Sequence, residues 1–193
     1  MKTTLDIKEP GLNVLPPGVE RHVVNGGGLT AFQLFPDDEI EIINDEGNQI
    51  CEIICFNKDG KSEVGILNLK ENSDKNFIRN ILNGKDETIL ATNYQLKKRN
   101  LNITQSKSSI VFDKDTPPGE KIKLKSKDKC FVIFSAPGED MLVTNQNPPS
   151  DLTIFIKRAK IINDKELNII PDPIFEPLYE QNIDKETSIA YEV

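Results

Sequence analysis

Eight short segments, at residues 19–24, 29–35, 39–44, 49–57, 109–113, 121–126, 129–135 and 152–157, are rich in β-branched or aromatic residues and bounded by Gly, Pro, Asn or Asp. This cadence of closely spaced strands constrains the fold more than any other feature. The predicted class is mainly β, a β-sandwich or barrel-like fold, with an α+β arrangement as second choice. Two helices interrupt the series in the middle. Ser73 or Asp74 is the predicted cap of one that buries Phe77, Ile78, Ile81 and Leu82 and stops before Gly84. The other is predicted over 87–99, with Ile89, Leu90 and Tyr94 inward and the cations of "KKR" at its C-terminal end.

A chain of 193 residues has room for one well-buried domain. The pattern divides it into an extended lead-in over 1–18 with Pro10, Gly11, Pro16, Pro17 and Gly18, a β domain over 19–159, and a proline-containing, charged stretch over 160–193 that reads as a linker. The net charge of −7, with lysines interleaved among acids, leaves no cationic stripe for nucleic acid or an anionic membrane. No apolar run approaches the roughly 20 residues of a membrane-spanning helix. The N-terminus also lacks the continuous apolar core of a signal peptide. Three irregularly placed cysteines form no disulfide framework and fit a reducing compartment, so the expected location is cytoplasmic.

The stretch "EIEIINDEGNQICEIICFN", residues 39–57, is predicted to be a hairpin that turns at Asp45–Asn48, with Gly47 able to take a positive φ. On an extended strand Cys51 and Cys55 share a face, but their Cα atoms are roughly 13 Å apart at ~3.3 Å per residue. That separation is too wide for a disulfide or for a shared zinc. A Cys3His site built from Cys51, Cys55, Cys130 and His22 would use every candidate ligand in the chain, and the strand geometry argues against it. The cysteines are therefore expected in the core and no metal is expected.

Other candidate groups are few. His22 is the only imidazole, either a hydrogen-bonded structural residue or a functional one. Gly26, Gly27 and Gly28 lead into a strand and not a helix, so a hairpin turn is expected there in place of a phosphate cradle. Ser150 and Asp151 leave a proline-bounded loop and suit either turn chemistry or a ligand. Glu52 lies on a strand face otherwise made apolar by Ile54 and Phe56, which suits a rim residue or an acid, base or binding group.

Two motifs carry a resemblance to a family. "EGNQICEIICFN" is similar to the "EGxQxxDFxxYN" hairpin of the urea carboxylase-associated, aminomethyltransferase-like domain. "PPGEKIKLKSKDKCFVIFSAPGEDM", followed by "NPPSDLTIFI", resembles that domain's closing pattern. The resemblance carries over Gly47, Gln49, Glu52 and Asp151 as site positions, with Glu52 standing where the family has an aspartate. It implies the N-terminal module of a protein of one-carbon or amine metabolism, with residues beyond about 170 leading into a second copy. It also implies no cofactor in this chain, tetrahydrofolate in the rest of the parent protein, and as partners either downstream domains or a homologous subunit. The family's "GRHD" and cysteine segments are missing between Phe56 and Ser109, so a degenerate, non-catalytic module is the first expectation. The alternative is a stand-alone enzyme or heteromeric subunit acting on a small guanidine- or urea-type substrate, with Glu52 as base and Gln49 and His22 at the substrate.

Overall fold

The computed structural model describes residues 15–73, 75–138 and 148–160. The lead-in before Leu15, the candidate cap Asp74 and the linker beyond Lys160 lie outside the described residues. Eight strands form: β1 (Val19–Val24), β2 (Leu29–Leu34), β3 (Glu39–Asn44), β4 (Cys51–Asn57), β5 (Ser108–Phe112), β6 (Glu120–Lys125), β7 (Cys130–Ser135) and β8 (Leu152–Lys157). Between β4 and β5 come a 3₁₀ turn (Val64–Leu67) and two helices, α1 (Phe77–Ile81) and α2 (Glu87–Lys98). The mainly β class is what the molecule adopts.

The strands make two four-stranded antiparallel sheets, one in the order β1-β8-β3-β6 and the other β2-β7-β4-β5. Among the described strands, only β4 and β5 are both consecutive in the chain and paired. This alternation between sheets is that of a double-sheet jelly roll. It corrects the hairpin expected over 39–57: β3 and β4 lie in opposite sheets, and the turn between them carries the chain across the sandwich. Gly47 (φ 77°) and Asn48 (φ 58°) make that corner. Any side chain at Gly47 would place its Cβ 2.6 Å from the Pro118 nitrogen. The glycines after β1 are likewise a corner between sheets and not a hairpin turn.

Strand alternation divides the core into two layers. Between the sheets pack Phe32, Ile40, Ile42, Ile53, Val132, Phe134 and Ile154, together with all three cysteines, each 0–1% exposed. Burial pushes the Cys51 thiol up, and its neighbour Glu52 adds to the effect. The Cys130 hydrogen bond, with burial, raises the Cys55 thiol. The opposite face of the second sheet presents Leu29, Ala31, Ile54, Phe56, Phe131 and Ile133 to α1 and α2.

The helices differ in detail from their sequence pattern. α1 is only five residues long, and its N-cap is Asn76. Ser73 instead accepts the Lys75 N–H in a local turn. On α2, Leu90 points outward and is 53% exposed, while Thr92 and Gln95 sit in the buried face with Ile89 and Leu96. Among the described residues no helix is long and apolar enough to cross a membrane.

Candidate functional site

The expected site residues fall into separate places. Glu52, 1% exposed, lies beneath α1. One carboxylate oxygen accepts the Ile78 N–H at 2.7 Å and the other accepts the Ser108 hydroxyl at 2.7 Å. Burial raises its pKa above the ordinary carboxylate value, against the pull of the Ser108 and Ile78 hydrogen bonds and of Arg79. Gln49 is also buried; its amide nitrogen donates to the Ile50 and Pro137 carbonyls at 3.0 Å, and its oxygen accepts the Ser150 N–H at 2.8 Å. Gly47 and Gln49 border a concavity of about 220 Å³ with Lys114, Pro148 and Ser150. Asp151 accepts the Gly26 N–H at 2.8 Å. Gly26 is needed there because a Cβ would meet the Pro149 carbonyl oxygen at 2.3 Å. Gln49 and Asp151 thereby staple the corner loops of the sandwich.

His22 stands apart from these, at the open edge where β1 and β2 diverge. Glu20, His22 and Val24 share the inward face of β1, and the His22 ring packs 4.4 Å from that of Phe32. Its Nε2 lies 3.0 Å from a Glu20 carboxylate oxygen. Arg158 clamps the same carboxylate through Nε at 2.7 Å and a terminal nitrogen at 3.0 Å. The other terminal nitrogen of Arg158 donates to buried Asp38 at 2.8 Å. Burial alone would raise the Glu20 pKa, but the hydrogen bonds from His22 and Arg158 overcome it and hold Glu20 at about 2. An ionised carboxylate can only accept, so Nε2 of His22 carries a hydrogen directed at Glu20.

The imidazole of this pair, His22, borders a cleft of about 450 Å³. The other walls come from the Gly26–Gly28 corner, from Thr30 of β2, and from Asp86 and Thr88 at the start of α2. Asp86 is the α2 N-cap by position, yet its side chain makes no capping hydrogen bond. Of the titratable groups in this cleft, His22 was singled out from the sequence and Asp86 was not. Glu20 is signalled by its position two residues before His22 on a strand, which puts both on one face. Asp86 arrives through tertiary structure and has no such signal. Among the described residues no three His, Cys, Asp or Glu side chains converge as metal ligands would.

The cleft thus belongs to a jelly roll with a proton-carrying pair at its open edge. No family model matches the chain. A trimethylamine-oxide aldolase of Ruegeria pomeroyi is 31% identical over 185 residues, which cover 96% of this chain and 23% of that protein. The chain therefore spans less than a quarter of the curated relative's length. A solved structure of a DUF1989 family protein from Silicibacter pomeroyi aligns over 85% of this chain and 87% of its own, at 10% identity and a TM-score of 0.41, too distant to carry an argument.

These findings correct the family expectation. The similar protein bears the name of an aldolase acting on trimethylamine oxide, and not that of an aminomethyltransferase or urea carboxylase-associated domain. The reading as a degenerate aminomethyltransferase module falls with that resemblance. The alternative reading, an enzyme of small nitrogenous substrates, agrees better with the relative.

Proposed function

We propose that this chain serves an enzyme that cleaves a small tertiary amine oxide, with trimethylamine oxide as the first substrate to test. The observation that carries the reading is the likeness to trimethylamine-oxide aldolase along 96% of this chain. Aldolase cleavage of trimethylamine oxide divides its atoms into formaldehyde and dimethylamine. One C–N bond and the N–O bond break, the oxygen becomes the carbonyl of the departing carbon, and one methyl hydrogen ends on nitrogen. The balance needs no external oxidant, but it needs a group that moves a proton from carbon to nitrogen. His22, oriented by ionised Glu20 at the edge of a cleft, is the group in this chain suited to that work.

The test is to incubate the protein at its full natural length with trimethylamine oxide and follow dimethylamine and formaldehyde by proton NMR. The expected result is equimolar release by the wild type and a drop of about 100-fold or more in His22→Ala. Failure of the wild type to release an aldehyde from any of a panel of small tertiary amine oxides would overturn the reading.

A further inference from the structure

We infer that the cleft between β1, β2 and α2 binds a small protonated amine that carries at least one N–H, of the dialkylammonium class. The inference deepens the reading above by naming the reaction partner held in this cleft, the amine half of the products. Three observations converge on it.

The first is the balance of donors and acceptors. The Asp86 carboxylate has no hydrogen-bond partner among the described residues and is not engaged in capping α2. Nε2 of His22 is committed to Glu20, which leaves Nδ1 as the ring's second hydrogen-bonding atom. The Thr30 and Thr88 hydroxyls add acceptors on the other walls. A dialkylammonium ion brings two N–H donors to such a site, whereas a tertiary amine oxide brings only an acceptor oxygen.

The second is charge. Among the described residues no Lys or Arg lines the cleft. The groups that face or flank it are His22 and Glu20 from β1, Asp86 and Glu87 from α2, Lys85 just before the helix, and Arg158 beyond Glu20. Arg158 is consumed by Glu20 and Asp38. The α2 N-terminus contributes roughly half a positive charge, and the carboxylates of Asp86 at its N-cap and Glu87 in its first turn outweigh it.

The third is the character of the apolar wall. Val23, Leu29 and Ile89 offer aliphatic surface for short alkyl groups, while among the described residues no Phe, Tyr or Trp lines the cleft. Quaternary ammonium recognition relies on an aromatic cage. The site therefore selects for N–H over full alkylation.

The test is an NMR titration of the ¹⁵N-labelled protein with dimethylammonium chloride and, at matched ionic strength, tetramethylammonium chloride. Saturable shifts of the Gly26, Gly27, Gly28 and Thr88 amides are expected with dimethylammonium and not with tetramethylammonium. Asp86→Asn, an exposed and uncapping position that leaves the fold intact, is expected to weaken binding by at least ~10-fold, the loss of about one charge-assisted hydrogen bond. Glu41→Gln, on the outer face of the first sheet, serves as the control with no change. Absence of saturation, an equal response to tetramethylammonium, or unaltered binding in Asp86→Asn each overturns the inference. Trimethylamine oxide turnover is scored separately: turnover without amine binding removes the inference and leaves the reading, and amine binding without turnover does the reverse.

Discussion

The layer between the two sheets and the layer between the second sheet and the helices are built on opposite principles, and β4 shows both. Its inward residues Cys51, Ile53 and Cys55 sit in an apolar cluster, where shape rather than a polar network holds the interface. Its outward residues include Glu52, whose carboxylate pins the start of α1 to the sheet and braces β5 through Ser108. Similar polar ties recur in the helical layer. Arg79 donates to the Ile103 carbonyl at 3.0 Å and also to that of Ser106, and Asn93 donates to the Leu82 carbonyl at 2.9 Å. The contrast has a simple cause. A five-residue helix cannot form on its own propensity, so it is fixed by bonds from its surroundings. Paired strands satisfy their own backbone and need only a dry face.

That contrast is breakable at chosen residues. Phe134→Ala, at a fully buried position between the sheets, should cost about 3–5 kcal/mol, read from urea unfolding. A loss of under about 1 kcal/mol would mean the inner layer tolerates cavities and is not held by shape. Glu52→Ala should cost about 1–3 kcal/mol, because the Ile78 N–H and the Ser108 hydroxyl lose their acceptor in a dry site. Glu52→Gln keeps an acceptor for Ile78 and should cost less than half as much. Hydrogen exchange should show α1 loosening first in the alanine variant; uniform loosening of both sheets would contradict the pinning role.

Acid separates the buried carboxylate from the one at the open edge. The folded pKa of Glu20, about 2, lies below its ordinary 4.5, so its stabilising effect is complete above about pH 4.5 and disappears as the pH falls towards 2. The stability gap between wild type and Glu20→Gln should therefore close over that window. Glu52 has the opposite sign: its raised pKa means the folded state holds the proton more tightly, and its protonation favours folding as the pH drops through the folded value. Chemical unfolding of Glu20→Gln below about pH 4.5 and of Glu52→Gln above it, each against wild type, measures the two slopes, and slopes of the same sign would refute the assignment. The smallest effect belongs to Gln95, whose buried amide nitrogen has no partner among the described residues. Gln95→Met should be neutral or stabilising by up to about 1 kcal/mol in a thermal melt.

The strands were legible because each is a short β-branched run between turn residues, and those signals are local. Sheet membership was not, because Gly47 and Asn48 report that the chain reverses without reporting which sheet it enters. The outward turn of Leu90 and the inward turn of Thr92 and Gln95 are likewise settled by how α2 lies on the sheet, which overrides the apolar pattern of the helix read alone. At the candidate site His22 was visible as a lone imidazole, and Glu20 was within reach of strand alternation. Asp86 was not, since it comes to line the same cleft as His22 only through tertiary folding. Gln49 and Asp151 were recognised as unusual loop residues, but their hydrogen-bond partners at Pro137, Ser150 and Gly26 are distant in sequence.

The pairing of β1 with β8 also sets an order of events during synthesis. Among the described residues β1 pairs with β8 alone, residues 152–157, and β8 is also the strand that joins β1 to β3. Until the ribosome reaches residue 152, β1 lacks its partner among the described strands and β3 lacks one of its two neighbours. The second sheet is held up less, since its β4–β5 pair is complete by Phe112 and β7 follows by Ser135. Closure of the sandwich is thus a late, long-range step, the kind that folds slowly and leaves apolar edges waiting for cover.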